Sequence, residues 1–498
     1  GIMDKEDLKK LFSQSDWDEE TIIEADKVVS RIAEEYLGLE TYPNQFEIIS
    51  SEQMLDAYSL IGLPISYNHW KFGKDFVMNQ NNYKKGRMGL AYELVINSNP
   101  CISYNMEDNT TCLMVLVLAH AAYGHNHFFK NNYLFKQWTQ ADAIIDYMVF
   151  AKNFVTKCEE KYGFDEVEAV LDSCHALMNY GVDKYQKPRK ISPDEERERL
   201  KKKLEDDQIF LDDIWRTLPK EKQEIARERR FPDQPEENIL YFIEKNSPKL
   251  KGWQRELVRI VRKTSQYFYP QGQSKVANEG CATFTHYEII NKMHEEGYLG
   301  DDFMMEFFHH HSNVIFQPGF DSQHYSGLNP YTLGFNIFTD LKRMSLNPTE
   351  EDIKWFPEIA GKGNWAETFR YIVENFKDET FVLQYLSPKV IRDMKLFSIM
   401  DEQEATHYEV NAIHDEYGYK KIRQALSESY NRSRYVPDIQ IYDVDVYGDR
   451  TLTLEHTPVN NRLLDSSSIS KVLPHVEFLW GFPIRIIEDG KEIGTTKK

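Results

Sequence analysis

The chain is poor in the groups that define small exported proteins. Its five cysteines, Cys101, Cys112, Cys158, Cys174 and Cys281, are scattered with no Cys-x-x-Cys pair. That excludes a disulfide framework and a thiolate zinc site, and it suits a reducing cytosol. Long apolar runs are also missing. The longest, Cys112 to Ala119, is far short of the roughly 20 residues that span a bilayer, and the first residues are charged where a signal peptide would be apolar. The expectation is a cytoplasmic protein without a membrane span. Positive charge is in deficit, with 60 Lys and Arg against 80 Asp and Glu. A formal charge of -20 argues against a nonspecific grip on nucleic acid, which relies on cations displacing condensed counterions. Several catalytic signatures are absent: the GxSxG elbow, the Walker loop and a GxGxxG after a strand. HExxH is absent too, because Ala121 and Ala122 follow His120, so any zinc-peptidase chemistry would need its base elsewhere.

Core material, by contrast, is ample. Apolar residues make up 41% and aromatics 13% of 498 residues, and the length exceeds what one hydrophobic core serves, so two or three domains are expected. Residues 5–36 carry helical periodicity, followed by the Pro- and Gly-marked loops "YPNQFEIISSEQ" and "IGLPISYNHWKFGKDF". "LVINSNPCISY" reads as two short strands around a turn, after which Asp108 or Asn109 stands where a helix cap belongs. Helical patterns run through "ADAIIDYMVFAKNFVTKCEEKYG" and "DEVEAVLDSCHALMNYG", each closed by glycine. The mixed charge of "QKPRKISPDEERERLKKKLEDD" marks a solvated helix or linker. A helix from about Leu250 to Phe268 should stop at "YPQGQ", before another from about Lys275 to Glu296.

The last hundred residues read as strand 406–413, helix 417–430, strands 438–446 and 450–456, helix 466–479 and strand 482–488. That is the β-α-β-β-α-β order of a ferredoxin-like module. The expected fold class is therefore α+β: a mostly helical N-terminal and central region with short strands, then this module. The corresponding divisions are 3–190, with the histidine cluster; 191–248, a charged linker or insertion; 249–400, completing the site; and 401–490.

Three histidines crowd into "AHAAYGHNHFFKNN" at the end of the apolar run. On a regular α-helix His120 and His127 are nearly eclipsed but about 10 Å apart along the axis, and His120 and His125 are about 140° apart. Neither pair can then hold one ion. A π-bulge at Gly124 would change this, because it brings positions i and i+5 into the relation normally held by i and i+4. His120 and His125 would then ligate one metal, with His127 as partner or further ligand. The competing reading is a set of hydrogen-bonded structural histidines.

A second helix can complete such a site. In "NEGCATFTHY", Glu279, Thr283 and His286 share one face, and Gly280 permits close approach of another backbone. A third group, Glu168, Asp172 and His175, flanks an apolar stripe. Asp172 and His175, at i and i+3, suit either metal ligation or an inter-helix seam. In the run His309 to His311, His311 is the candidate to enter a pocket.

The stretches "YPNQFEIISSEQMLDAYSLIGLPISYNHWKFGK", "YELVINSNPCISY", "AHAAYGHNHFFKNNYLF", "LDSCHALMNYGVDKY", "NEGCATFTHY", "YSGLNPYTLGF", "FKDETFVLQYLSPKVIRD" and "DRTLTLEH" resemble the bacterial stage V sporulation protein R (SpoVR-like) family. The resemblance runs over nearly the whole chain, with one departure at Cys281, where a tryptophan is expected. It implies a cytoplasmic bacterial protein linked to formation of the spore cortex or to stress responses, with a serine protein kinase system among its partners. It brings no settled reaction.

Two functions follow from these readings. The first is a metal-dependent hydrolase, acting on a cell-wall peptide or precursor, in which His120 and His125 meet Glu279 and His286 around a divalent metal, zinc before iron. Glu279 is then ligand or base, with His286 beside it in the catalytic group. The second is a non-catalytic scaffold or regulatory partner in which the same residues form a satisfied buried network. Two histidines and a carboxylate are also the ligand set of non-haem iron sites.

Overall fold

The computed structural model describes residues 2–54, 93–185, 231–399 and 415–498. The loop at 61–76, the charged stretch at 186–207 and the strand expected at 406–413 lie outside the described residues. The chain divides into two compact units, Gly1–Lys152 with Pro270–Asn431, and Asn153–Tyr269 with Arg432–Lys498.

The first unit opens with α1 (Lys5–Ser13) and α2 (Glu19–Glu35). One helix was expected here. A reciprocal capping box between Asp18 and Thr21 instead starts a new helix. A three-stranded sheet follows: β1 (Asn44–Ile49), β2 (Leu94–Ile96) and β3 (Cys101–Met106), in the order β1-β3-β2. β2 and β3 are the expected pair and run antiparallel. β1, read from the sequence as loop, pairs parallel with β3; its Asn44, Gln45 and Glu47 hide the apolar alternation of a strand. The next helix, α3 (Thr111–Val117), is capped by Thr110 and not by Asp108 or Asn109, since the Thr110 side chain accepts from the Leu113 N–H.

α3 runs into a π-helix, Leu118–His125, then α4 (Asn126–Asn131) and α5 (Tyr133–Trp138). α6 (Ile144–Tyr162) and α9 (Gly252–Gln273) carry the chain from one unit to the other, and between them lie α7 (Phe164–Ala176) and α8 (Ile239–Asn246). α9 runs on past Phe268 and ends at Gln273, the last residue of the expected breaker "YPQGQ". The proline falls in its last turn, where little helix remains to break, and the Ser274 hydroxyl donates to the Pro270 carbonyl.

The first unit is built around α10 (Lys275–Glu295), which is buried on nearly every face. It packs against α2, the π-helix and α12 (Pro330–Leu346), with α11 (Asp301–Val314) alongside. Gly280 lies so close to Gly334 of α12 that a Cβ there would stand 2.5 Å from its backbone, so the crossing requires glycine at both positions. Among the described residues the unit has five further α-helices: α13 (Glu350–Trp355), α14 (Trp365–Asn375), α15 (Asp378–Tyr385), α16 (Pro388–Asp393) and α17 (Glu416–Ser429).

In the second unit a four-stranded mixed sheet comprises β4 (Ile439–Val444), β5 (Leu452–His456), β6 (Ile484–Glu488) and β7 (Lys491–Thr495), with α18 (Ser466–Trp480) between β5 and β6. The order is β4-β5-β6-β7. β5 and β6 pair directly in parallel, where a ferredoxin-like sheet would insert its first strand. The sequence order of elements therefore misled: α18 makes a crossover between adjacent strands, and β7, an unexpected strand, closes a hairpin with β6. Among the described residues no helix is long and apolar enough to cross a membrane.

The start of α10 is held by a buried carboxylate. Asp378 accepts from the backbone N–H groups of Val276 at 3.0 Å and Ala277 at 2.9 Å. Burial pushes its pKa up to about 7 from 3.8, against the pull of those bonds. A carboxyl group whose folded pKa is raised favours folding below its unfolded pKa and loses that contribution as pH climbs toward the folded value. Asp378→Asn keeps an acceptor and removes the charge. Relative to the native chain it should gain stability between about pH 4 and pH 7, on the order of 4 kcal/mol at most. Asp378→Ala removes the charge as well but leaves the N–H groups without an acceptor, so it should lie about 1 kcal/mol below Asp378→Asn at every pH. Urea unfolding of the three proteins across that range checks both.

Candidate metal centre

The five-residue spacing of His120 and His125 is wound as part of the π-helix Leu118–His125. A π turn closes i to i+5, so the two rings come to one side, with centroids 4.9 Å apart. Gly124 makes this segment fit. A Cβ there would lie 2.6 Å from Ala282 Cα on α10, so the π-helix and α10 touch backbone to backbone.

That contact sets Glu279 opposite the two imidazoles. Glu93, immediately before β2, enters from the other side. His125 Nε2 is 3.0 Å from Glu93 Oε1 and 3.2 Å from Glu279 Oε2; His120 Nε2 is 3.3 Å and 3.6 Å from the same atoms. All four donors lie within 4.8 Å of one another. A four-coordinate ion with bonds of about 2.0–2.2 Å has tetrahedral edges of about 3.3–3.6 Å, close to these separations. His120 Nε2 and Glu279 Oε2 are buried and make no hydrogen bond, as expected of donors whose lone pairs point at a common centre. The four side chains therefore form a gap with the dimensions and donor chemistry of a divalent-metal site.

The far side of each imidazole is wired. His125 Nδ1 meets Asn278 Oδ1 at 2.8 Å. His120 Nδ1 meets His286 Nδ1 at 2.9 Å, and His286 Nε2 meets His311 Nδ1 at 2.9 Å. Tyr331 stacks on His120 at 5.9 Å. Metal-binding histidines are commonly oriented in this way through the nitrogen that does not bind.

Charge follows the same arrangement. Burial raises Glu93 and Glu279, but the facing imidazoles outweigh it and hold both carboxyls below their ordinary range. Burial likewise disfavours protonation of His120 and His125, yet the carboxylates carry both net upward, His125 well above its usual value. His286 and His311 have no carboxylate; burial, followed by neighbouring imidazoles, takes His286 well below and His311 down to about 4.

The remaining candidates sit elsewhere. His286 and His311 stand behind His120, outside the donor group. His127 faces away from the gap: its Nδ1 accepts from the Glu40 N–H at 3.0 Å, and burial lowers it to about 4. It fastens the chain after α2, because two α-helical residues beyond His125 turn its ring to the opposite face, about 200° away. Asp172 and His175 are on α7 in the second unit, and among the described residues no third donor joins them in an ion-sized group. Sequence reasoning missed Glu93, whose only signal is a lone carboxylate opening an apolar strand, and Asn278, the direct neighbour of Glu279.

The backbone contact at Gly124 is testable. Gly124→Ala should cost about 1–3 kcal/mol by overpacking and should move His125 from Glu279. Gly252→Ala, where a Cβ meets nothing within 4 Å, should be neutral or slightly stabilising. Thermal and urea unfolding separate the two.

Comparison with known proteins agrees with the resemblance. The model of the SpoVR like protein family matches residues 16–435, and that of the SpoVR-like C-terminal domain matches residues 437–490. The chain is 52% identical over 488 residues to "Uncharacterized protein YcgB" of Escherichia coli (strain K12), covering 98% of this chain and 95% of the relative. No solved structure matches. With both family models matched in sequence order and a relative aligned almost end to end, the chain belongs to the SpoVR-like family.

Proposed function

We propose that the chain is a metal-dependent hydrolase. The observation that carries this is the meeting of four donors, Glu93, His120, His125 and Glu279, at 3.0–3.6 Å across one buried gap. In this reading Glu93, His120 and His125 hold a divalent ion, zinc before iron, which supplies Lewis acidity and an acidified water. Glu279 is the carboxylate on the accessible side, with 18% of its side chain exposed against 6% for Glu93 and 0% for His120. It is placed to take the proton of the attacking water and pass it to the leaving group. His286 then acts as a positioning residue that fixes the tautomer of His120. By analogy, the substrate class to which the family association points is a cell-wall peptide or precursor.

A second reading is favoured by one observation. The carboxylates are held low and His120 and His125 high, as in two buried ion pairs that need no metal. The protein would then be a scaffold or a regulatory partner of a serine protein kinase system.

Elemental analysis of tag-free protein separates the readings. The hydrolase reading expects about one zinc per chain, lost in His120→Ala and Glu93→Gln and retained in Glu279→Gln. Asn278→Ala should weaken metal affinity about 10–100-fold. Iron in place of zinc would move the assignment to non-haem iron chemistry. A folded native protein that takes up neither metal overturns the proposal.

A further inference from the structure

A second cavity lies in the first unit and shares no residue with the metal centre. Its volume is about 640 Å³, and it is lined by segments of α13, α14, α15 and α17 with the turn after α13. Cavities of roughly 300–1,000 Å³ accommodate small molecules. Its apolar walls include Trp355, Ile359, Tyr371 and Leu383.

The cation in this cavity is unusual. Arg423 of α17 donates from Nε to the Leu386 carbonyl at 2.9 Å, and its guanidinium rests 5.0 Å from the Trp355 ring and 5.5 Å from Phe356. Its Nη2 is buried with no acceptor among the described residues. Arginines nearby are treated differently: Arg343 is held by Asp340 and Asp352, and Arg392 by Glu351. A buried charge without a counter-ion is costly, and side chains of this kind are rarely left so unless paired. Burial pulls Arg423 down to about 10, which has the same cause. Asn364 also lines the cavity, and among the described residues its buried Oδ1 has no donor.

The acids of the cavity are at its mouth. Glu358 and Glu367 line it and are exposed, so a simple anion would meet repulsion before it reached Arg423. A molecule that leads with a carboxylate and trails an ammonium meets complementary charge at both ends, with aromatic walls between.

From the cavity, the unpaired guanidinium and the acidic mouth together, we infer that this is a binding site for a small zwitterion with an apolar side chain, either a free amino acid or the end of a short peptide. Arg423 takes the carboxylate, Glu358 and Glu367 face the ammonium, and Trp355 and Tyr371 hold the side chain. The site is independent of the metal reading.

Calorimetric titration of the full chain tests it with four probes: L-phenylalanine, the dipeptide Gly-Phe, N-acetyl-phenylalanine and phenethylamine. Saturable binding is expected for phenylalanine or Gly-Phe, and which of them binds more tightly separates a free amino acid from a peptide end. Removing the ammonium or the carboxylate should weaken binding about tenfold or more. Arg423→Met should abolish the preference for a carboxylate, and Glu367→Gln should weaken Gly-Phe more than N-acetyl-phenylalanine. Leu383→Trp fills the cavity from an exposed position and should block binding while thermal unfolding stays unchanged, so the test survives if the Arg423 variant fails to fold. No saturable binding of any probe at millimolar concentration, or equal binding by native and Leu383→Trp proteins, overturns the inference.

Discussion

The site depends on one departure from regular helix, the π winding of Leu118–His125. In an α-helix the rings of His120 and His125 would diverge by about 140°. Wound as π they face the same gap, but π turns bond less well and persist only where the surroundings compensate. Here the compensation is packing. The segment is buried throughout, and Gly124 lets it lie directly on α10 at Ala282. The irregular turn and the acidic helix thus require each other: without the close contact Glu279 would be too far from the imidazoles, and without the π turn only one imidazole would face it.

Electrostatics then restrict what the gap can contain. Two carboxylates out of water need about two positive charges nearby, because an uncompensated buried charge costs several kcal/mol. Protonated His120 and His125 supply them, and so does a divalent ion bound by neutral rings. The wiring behind the rings bears on this choice. An amide oxygen only accepts, so Asn278 Oδ1 calls for a proton on His125 Nδ1 and, in the neutral ring, leaves the Nε2 lone pair facing the carboxylates. His286, kept neutral by burial, has one donor and one acceptor and meets two rings, His120 and His311, which fully satisfies it. An unbroken chain of neutral tautomers from His311 back to His120 is therefore available, and it ends with a lone pair at the gap.

Much of this was legible in the sequence, for reasons that can be named. The histidine spacing fits no regular helix, yet the apolar residues around it demand one, and a π-bulge beside a glycine is what reconciles the two demands. Glu279 was legible because a buried-looking helix face carried a carboxylate next to Gly280. Glu93 was not, since strand alternation gives no reason to single out the residue that precedes it, and its partners are distant in sequence. β1 was missed because its polar residues conceal the period of a strand. The C-terminal sheet was misread for a different reason. Element order fixes how many strands and helices there are, but β5 and β6 pair directly through the α18 crossover, and pairing across a crossover is a long-range fact that local pattern does not encode.

α10 ties these strands of argument together. Within twelve residues it carries the N–H groups held by Asp378, then Asn278, Glu279, the Gly280 crossing with Gly334, and His286. A helix slipped by one residue rotates its side chains by about 100°, which would turn Glu279 out of the gap and drive a larger side chain into Gly334. The capped end fixes where the helix starts, and the glycine crossing fixes its rotation. Residues that look purely structural therefore set the register of the carboxylate. The donor geometry is precise because it is carried on a long, largely buried helix, held at its end and at its middle, and not on a loop.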